Sequence, residues 1–165
     1  LKPYILISEA FLRKHDTLHF IKKAEKDTLA VYKYPEGTLV DLNEADTTEL
    51  KKIPGIGSGI ARMIVAYRKR LGGFYDMAQL KEVNYVDEDM LRWFKLGNAP
   101  IHRINANKAG LDKLRSHPYM NFYQAKVIIE YRRKKGKLKS LSQLSLYEEF
   151  TEKDLERLSH YLAFD

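Results

Sequence analysis

Ile53-Pro54-Gly55-Ile56-Gly57-Ser58-Gly59 is the stretch on which the reading of this chain turns. Pro54 disfavours helical geometry at the residue before it and so closes a short helix behind Ile53. Gly55 and Gly57 supply the backbone angles of a tight turn, and Ile56 between them is the apolar side chain expected to point inward. Upstream, Asp46-Thr47-Thr48-Glu49 is a capping box that opens a brief helix through Leu50 and Ile53. Downstream, Ile60, Ile64, Tyr67 and Leu71 fall on one stripe of a second helix that runs from about Ser58 to Arg70, and Gly72-Gly73 stops it.

The same pattern occurs twice. A shift of 64 residues lays Asn43 on Asn107, Leu50 on Leu114, Pro54 on Pro118, Ala61 on Ala125, Ile64 on Ile128 and Tyr67-Arg68 on Tyr131-Arg132. The register holds without a gap through Gly72 on Gly136, Gln79-Leu80 on Gln143-Leu144, and Leu91 on Leu155. Asp76 to Gln79 and Ser140 to Gln143 are matching capping boxes for a third helix, and Thr151 to Asp154 opens the last. The chain divides into an N-terminal segment, 1–39, and two units of about four short helices each, 40–99 and 100–165, expected to touch across 96–104. In the first segment Ile5 to Leu12 has a helical pattern. Thr28 to Tyr34 and Thr38 to Leu42 alternate like strands around Pro35-Glu36-Gly37.

Composition narrows the chemistry. The chain has 165 residues, 44% hydrophobic and 31% charged, which is a folded rather than a disordered or collagenous composition. A net charge of +7 favours a polyanionic partner. The absence of cysteine excludes disulfides, thiolate metal sites and cysteine nucleophiles. The apolar run Tyr4 to Ile7 is far short of the roughly 20 residues a bilayer demands, so no membrane contact is expected of this segment. The chain opens at Leu1 rather than Met. Localisation is therefore left open between a protein tethered or exported through an upstream segment and a cytoplasmic one.

The turn carries a chemical expectation of its own. Small residues at Gly55, Gly57 and Gly59 admit another backbone, and a helix starting near Ser58 presents unpaired amides with partial positive charge, a natural seat for phosphate. Lys51, Lys52, Ser58 and Arg62 are close enough in sequence to add contacts to it. No base-reading group accompanies them, so the expected partner is DNA, double-stranded and bound without regard to sequence. Unit two departs here: His117-Pro118-Tyr119-Met120-Asn121 has lost both turn glycines. The turns at Val83 to Asp87 and Leu146 to Phe150 also lack glycine, so one turn in four keeps the binding chemistry. Charge is distributed the other way. Lys and Arg number seven against five Asp and Glu in 1–39, nine against nine in 40–99, and thirteen against eight in 100–165. Arg132, Arg133, Lys134, Lys135, Lys137 and Lys139 form an expected secondary basic surface, or a solvated helix end complementing the dipole. Arg132 also pairs with Arg68 beside the apolar stripes of Tyr67 and Tyr131, where packing is the expected role.

Ile53 to Gly57 between two helices resembles the helix-hairpin-helix motif. The run from Leu42-Asn43-Glu44-Ala45-Asp46 to Gly72-Gly73-Phe74-Tyr75-Asp76-Met77-Ala78-Gln79-Leu80 is similar to the ComEA-type competence DNA receptors. The resemblance covers unit one closely and unit two in outline. It implies an all-α fold of two tandem helix-hairpin-helix (SAM-like) units, non-enzymatic DNA binding, and a role in DNA uptake or handling. In some members the hairpin carbonyls hold a monovalent cation, but nothing in this sequence requires a metal or any cofactor. Two alternatives stay open. Units with degenerate hairpins occur in secretion-system minor pseudopilins and in the photosystem U-type subunit, as scaffolds for a protein partner. An accessory domain of a nuclease or polymerase is the other. Some glycosylases carry a catalytic aspartate after such a hairpin, but Asp76 aligns with Ser140 and both precede Gln at the third position, so a helix cap explains them together. His15 and His19 lack the HExxH pattern, and no nucleophile, Walker loop or dinucleotide fingerprint appears, so no catalytic residue is named.

Overall fold

Each capping signal in the sequence opens a helical turn in the computed structural model, which describes residues 32–165. In the first repeat β1 (Val40–Asp41) leads to α1 (Thr47–Leu50), α2 (Ser58–Leu71), a 3-10 helix (Met77–Glu82), α3 (Glu88–Leu91) and β2 (Phe94–Lys95). The second repeats this order with β3 (Ile104–Asn105), α4 (Leu111–Arg115), α5 (Phe122–Lys135), a 3-10 helix (Leu141–Gln143), α6 (Glu152–Ser159) and β4 (Leu162–Ala163). Asp46 accepts from the amides of Thr48 and Glu49, and Asp76 from that of Ala78. The third helix of each repeat is of the tighter 3-10 kind. Gly72 ends α2 in the left-handed region at φ 89°.

The strands close each repeat on itself. β1 runs parallel to β2, and β3 parallel to β4, two residues in each strand. The strand pattern read at Thr28 to Tyr34 is corrected where it is described, since 32–34 have no regular structure, whereas Thr38 to Leu42 contains β1, whose Val40 pairs with Phe94, 54 positions on. Residues 28–31, with the helix expected at Ile5 to Leu12 and with His15 and His19, lie outside the described residues. β1 and β3 keep the 64-residue register, whereas β2 and β4 are 68 apart. The difference is α6, which has eight residues where α3 has four, one extra helical turn.

Two cores result. Leu42, Leu50, Ile53, Ile56, Ile64, Leu71, Phe74 and Leu80 fill the first, and Leu114, Ile128, Leu138, Leu144 and Leu158 the second. Asn43 is a clasp between residues 31 positions apart. It donates to the Phe74 carbonyl and accepts from the Phe74 amide, and Asn107 does the same with Leu138. Arg68 donates to the carbonyls of Leu42 and Ala45.

The repeats meet well beyond 96–104. The His102 amide donates to the Gly72 carbonyl at 2.8 Å, but the larger contact is made by the altered turn of the second repeat. His117 is 2% exposed and lies against the end of α2, with Nε2 3.1 Å from the Leu71 carbonyl. Tyr161 is wholly buried in the first core, where its hydroxyl donates to the Gly73 carbonyl. Gln79 donates to the hydroxyls of Tyr119 and Tyr161, Tyr119 donates to Glu82, and Arg157 lies 3.3 Å from Glu82 and over the Tyr119 ring. Tyr75 stacks on His160 at 3.8 Å. Burying a side chain of this size is worth roughly 1.5–3 kcal/mol, and no buried side-chain nitrogen or oxygen among the described residues lacks a partner.

Candidate nucleic-acid interface

The turn at Pro54 forms because α1 ends in overlapping short bonds: the Ile53 amide donates to Leu50, and the Ile56 amide to Ile53. Gly55 takes φ 82°, a region costly to any side chain, and Ile56 drops into the core at 1% exposure, as its place in the sequence predicts. Pro54, Gly55, Gly57, Ser58 and Gly59 stay exposed. A Cβ added at Gly57 or Gly59 would meet nothing within 4 Å. The neighbour of Gly55 is the Met90 side chain rather than a carboxylate.

Four helices follow such turns, and their first amides fare differently. Asp87 accepts from the Met90 amide at the start of α3, Asn121 from the Gln124 amide at α5, and Thr151 from the Asp154 amide at α6. Gly57 leads into α2 with no side-chain cap. Among the described residues one of these four starts is open to an outside acceptor, and it belongs to the turn that kept its glycines; α4, which follows no such turn, also starts uncapped at Gly110.

Cations flank that opening along the chain. Arg62 is exposed, and its Nε donates to the Ser58 carbonyl, which lays the guanidinium along the first turn of α2. Lys51 and Lys52 are half-buried, with the Lys52 ammonium 5.5 Å from the centre of the Tyr34 ring. Lys33, absent from the sequence-based set, reaches the same place: its ammonium donates to the Lys51 carbonyl at 2.6 Å and to the Ile53 carbonyl at 3.1 Å. No spacing pattern could have signalled it, since it lies 20 residues upstream of Ile53.

Several cations of the expected basic surface of the second repeat also have partners within the chain. Arg132 is half-buried and its guanidinium donates to the Ala109 carbonyl at 2.6 Å, as Arg68 does to that of Ala45, so it has a framework bond beside its place on this face. Lys134 lies 3.7 Å from Glu130, and Lys135 sits over the Tyr131 and Tyr147 rings. Arg133, Lys134, Lys135, Lys137 and Lys139 are exposed, and Arg132, Arg133 and Lys137 line a pocket with Asn107, Ile129 and Gly136. In place of Ser58 and Gly59 the second repeat exposes Phe122 and Tyr123, with rings 5.6 Å apart.

Asp76 is engaged in its helix cap. Among the described residues no three His, Asp or Glu side chains gather as a metal-binding group, and no helix is long and apolar enough to cross a membrane.

The family model described as the helix-hairpin-helix motif matches residues 36–93 and again 100–163. The mouse and rat proteins named endonuclease/exonuclease/phosphatase family domain-containing protein 1 are each 27% identical over 154 residues, a match covering 73% of this chain and 27% of theirs. The Xenopus laevis protein of that name is 25% identical over 146 residues, covering 73% of this chain and 26% of its own. The chain thus spans about a quarter of the length of the curated relatives it matches. No solved structure matches it.

Proposed function

The chain belongs to the helix-hairpin-helix family, whose motif suggests DNA binding, and from that membership we propose that it is a sequence-independent DNA-binding module with no chemistry of its own. The uncapped start of α2 at Gly57, alone open among the four turn-following helices, carries the reading. Amides of Gly57, Ser58 and Gly59 receive a phosphodiester oxygen, Gly55 and Ile56 set the turn that aims them, and Arg62, Lys51 and Lys52 add charge. The preferred partner is duplex DNA, whose phosphates are regularly spaced for such a clamp. Arg133, Lys137 and Lys139 extend the positive field from the second repeat. The likeness to competence DNA receptors supports a place in DNA uptake or handling. The names of the vertebrate relatives support handling, with this stretch as the part that holds DNA for a phosphodiester-cleaving or phosphatase domain elsewhere in a longer protein.

The test is a titration of a fluorescently labelled 20-base-pair duplex at several salt concentrations. Gly57→Asn, which gives α2 the side-chain cap that α5 already has, is expected to lower affinity at least tenfold and to leave the fold intact. Equal affinity for duplexes of unrelated sequence is the second expected result. Affinity unchanged by Gly57→Asn overturns the proposal.

A second reading rests on the closed turns. With three of four helix starts capped by their own side chains and Phe122, Tyr123 and Leu146 exposed, the second repeat suits a protein partner. Duplex titrations that show no binding at 0.1 M salt favour that scaffold reading.

A further inference from the structure

We infer that Lys33 is a built-in cation of the phosphate clamp, occupying with its ammonium the hairpin carbonyls that a monovalent metal ion would otherwise hold. The inference rests on the DNA-binding reading above and deepens it.

The carbonyls of Lys51, Lys52 and Ile53 follow α1 just before the turn, and residues 33 and 34 donate to all three, the Ile53 oxygen also accepting from the Ile56 amide. The Lys33 ammonium donates to the oxygens of Lys51 and Ile53, at 2.6 and 3.1 Å, while the Tyr34 amide donates to the Lys52 carbonyl at 2.8 Å. The Tyr34 ring in turn lies 5.5 Å from the Lys52 ammonium, so the segment is held from both sides. Carbonyls at the end of a helix carry partial negative charge and lack partners within it, which makes them the natural seat of a cation. An ammonium meets that need with directed N–H donors at hydrogen-bond distance, so a metal ion does not fit at the Lys51 and Ile53 oxygens while Lys33 is in place.

The charge does more than fasten the turn. An ammonium has three donors, and the two carbonyls use two of them. The third remains for an oxygen acceptor: Lys33 is exposed and bonded to the arm of the turn that precedes Pro54, and Gly57, Ser58 and Gly59 are exposed on the arm that follows it. A phosphodiester seated on those amides therefore meets a positive charge fixed by the backbone itself, whose position costs little ordering when DNA arrives. Lys33 is a positioning residue for the turn and a phosphate contact in one.

The experiment compares wild type with Lys33→Met and Lys33→Arg in titrations of the labelled duplex, run in sodium, potassium and tetramethylammonium chloride at matched ionic strength. Wild-type affinity is expected to be the same in all three salts. Lys33→Met is expected to bind roughly tenfold more weakly at about 0.1 M tetramethylammonium chloride and to lower the slope of log affinity against log salt by about one, the signature of one lost phosphate contact. Potassium entering the vacated carbonyls is expected to restore part of that affinity, a rescue that a merely structural lysine would not show. Lys33→Arg is expected to keep the slope. An unchanged slope and affinity in Lys33→Met, or a wild type whose affinity depends on which cation is present, overturns the inference and leaves the clamp standing. No binding by wild type in any salt sinks the DNA-binding reading itself.

Discussion

His117 of the second repeat caps the helix of the first: its imidazole Nε2 donates to the carbonyl of Leu71, the last residue of α2. The Tyr119 amide donates to Nδ1 of the same ring, so the proton sits on Nε2 and the ring is neutral. Turn residues that would have formed a second phosphate seat instead join the two repeats.

Stability is expected to depend on pH through this ring. Burial, with Arg70 and Lys113 nearby, outweighs the bond to Leu71 and lowers the His117 pKa from 6.5 to about 4. The unfolded chain takes the proton near pH 6.5 and the folded one only near 4. The stabilisation is therefore complete above pH 6.5, declines as pH falls, and is gone below about 4. The loss amounts to about 3 kcal/mol. Urea denaturation of wild type and His117→Phe between pH 4 and 7.5 checks it: the difference between the two should shrink on acidification.

Asn121 and Gly57 hold the same place in the two repeats and have opposite roles. Asn121→Ala is expected to cost about 1 kcal/mol, the usual worth of a helix cap, with duplex affinity unchanged. Gly57→Asn is expected to leave stability equal or a few tenths of a kcal/mol higher while affinity falls. Thermal unfolding beside the duplex titration separates the two effects.

Two neighbouring arginines of the second repeat divide in the same way. Arg132→Ala removes the bond to the Ala109 carbonyl and is expected to destabilise by about 2 kcal/mol. Arg133→Ala, at an exposed position, is expected to leave stability within about 0.5 kcal/mol and to reduce the salt slope of duplex binding by a fraction of one phosphate contact. Chemical denaturation and the salt series provide the readouts.

Tyr85 stands at the tip of the turn between Val83 and Val86 with φ 66°, and it is 80% exposed, so no packing offsets its left-handed backbone. Tyr85→Gly is expected to stabilise the chain by about 1 kcal/mol, measured as a raised denaturation midpoint. A lowered midpoint would show that the ring contributes more than its exposure indicates.

The parts of the fold set by local chemistry were legible in the sequence. Asp46-Glu49, Asp76-Gln79 and Gly72 act within a few residues of themselves, and Ile56 between two glycines had one direction to point. Long-range partners were not. Nothing near Val40 marks Phe94 as its neighbour, and the extra turn of α6 leaves no gap in the alignment of the repeats because it falls after their last matching leucines. His117 and Tyr119 read as losses from a glycine turn, since one sequence does not show that they face Leu71 and Gln79. In the candidate site the turn and its flanking lysines could be read by adjacency. Lys33 could not, because its approach to Ile53 is made by the fold.

The capped starts of α3, α5 and α6 set the valency of the molecule. Two tandem copies of a DNA-binding motif would ordinarily suggest a bridge between two duplexes, or avidity gained by doubling the grip. Among the described residues α4 also starts uncapped, at Gly110, but it follows no hairpin turn, so on the proposed reading the two repeats offer one hairpin seat between them. On that reading, tight attachment draws on several chains along one duplex, or on linkage to another DNA-holding domain.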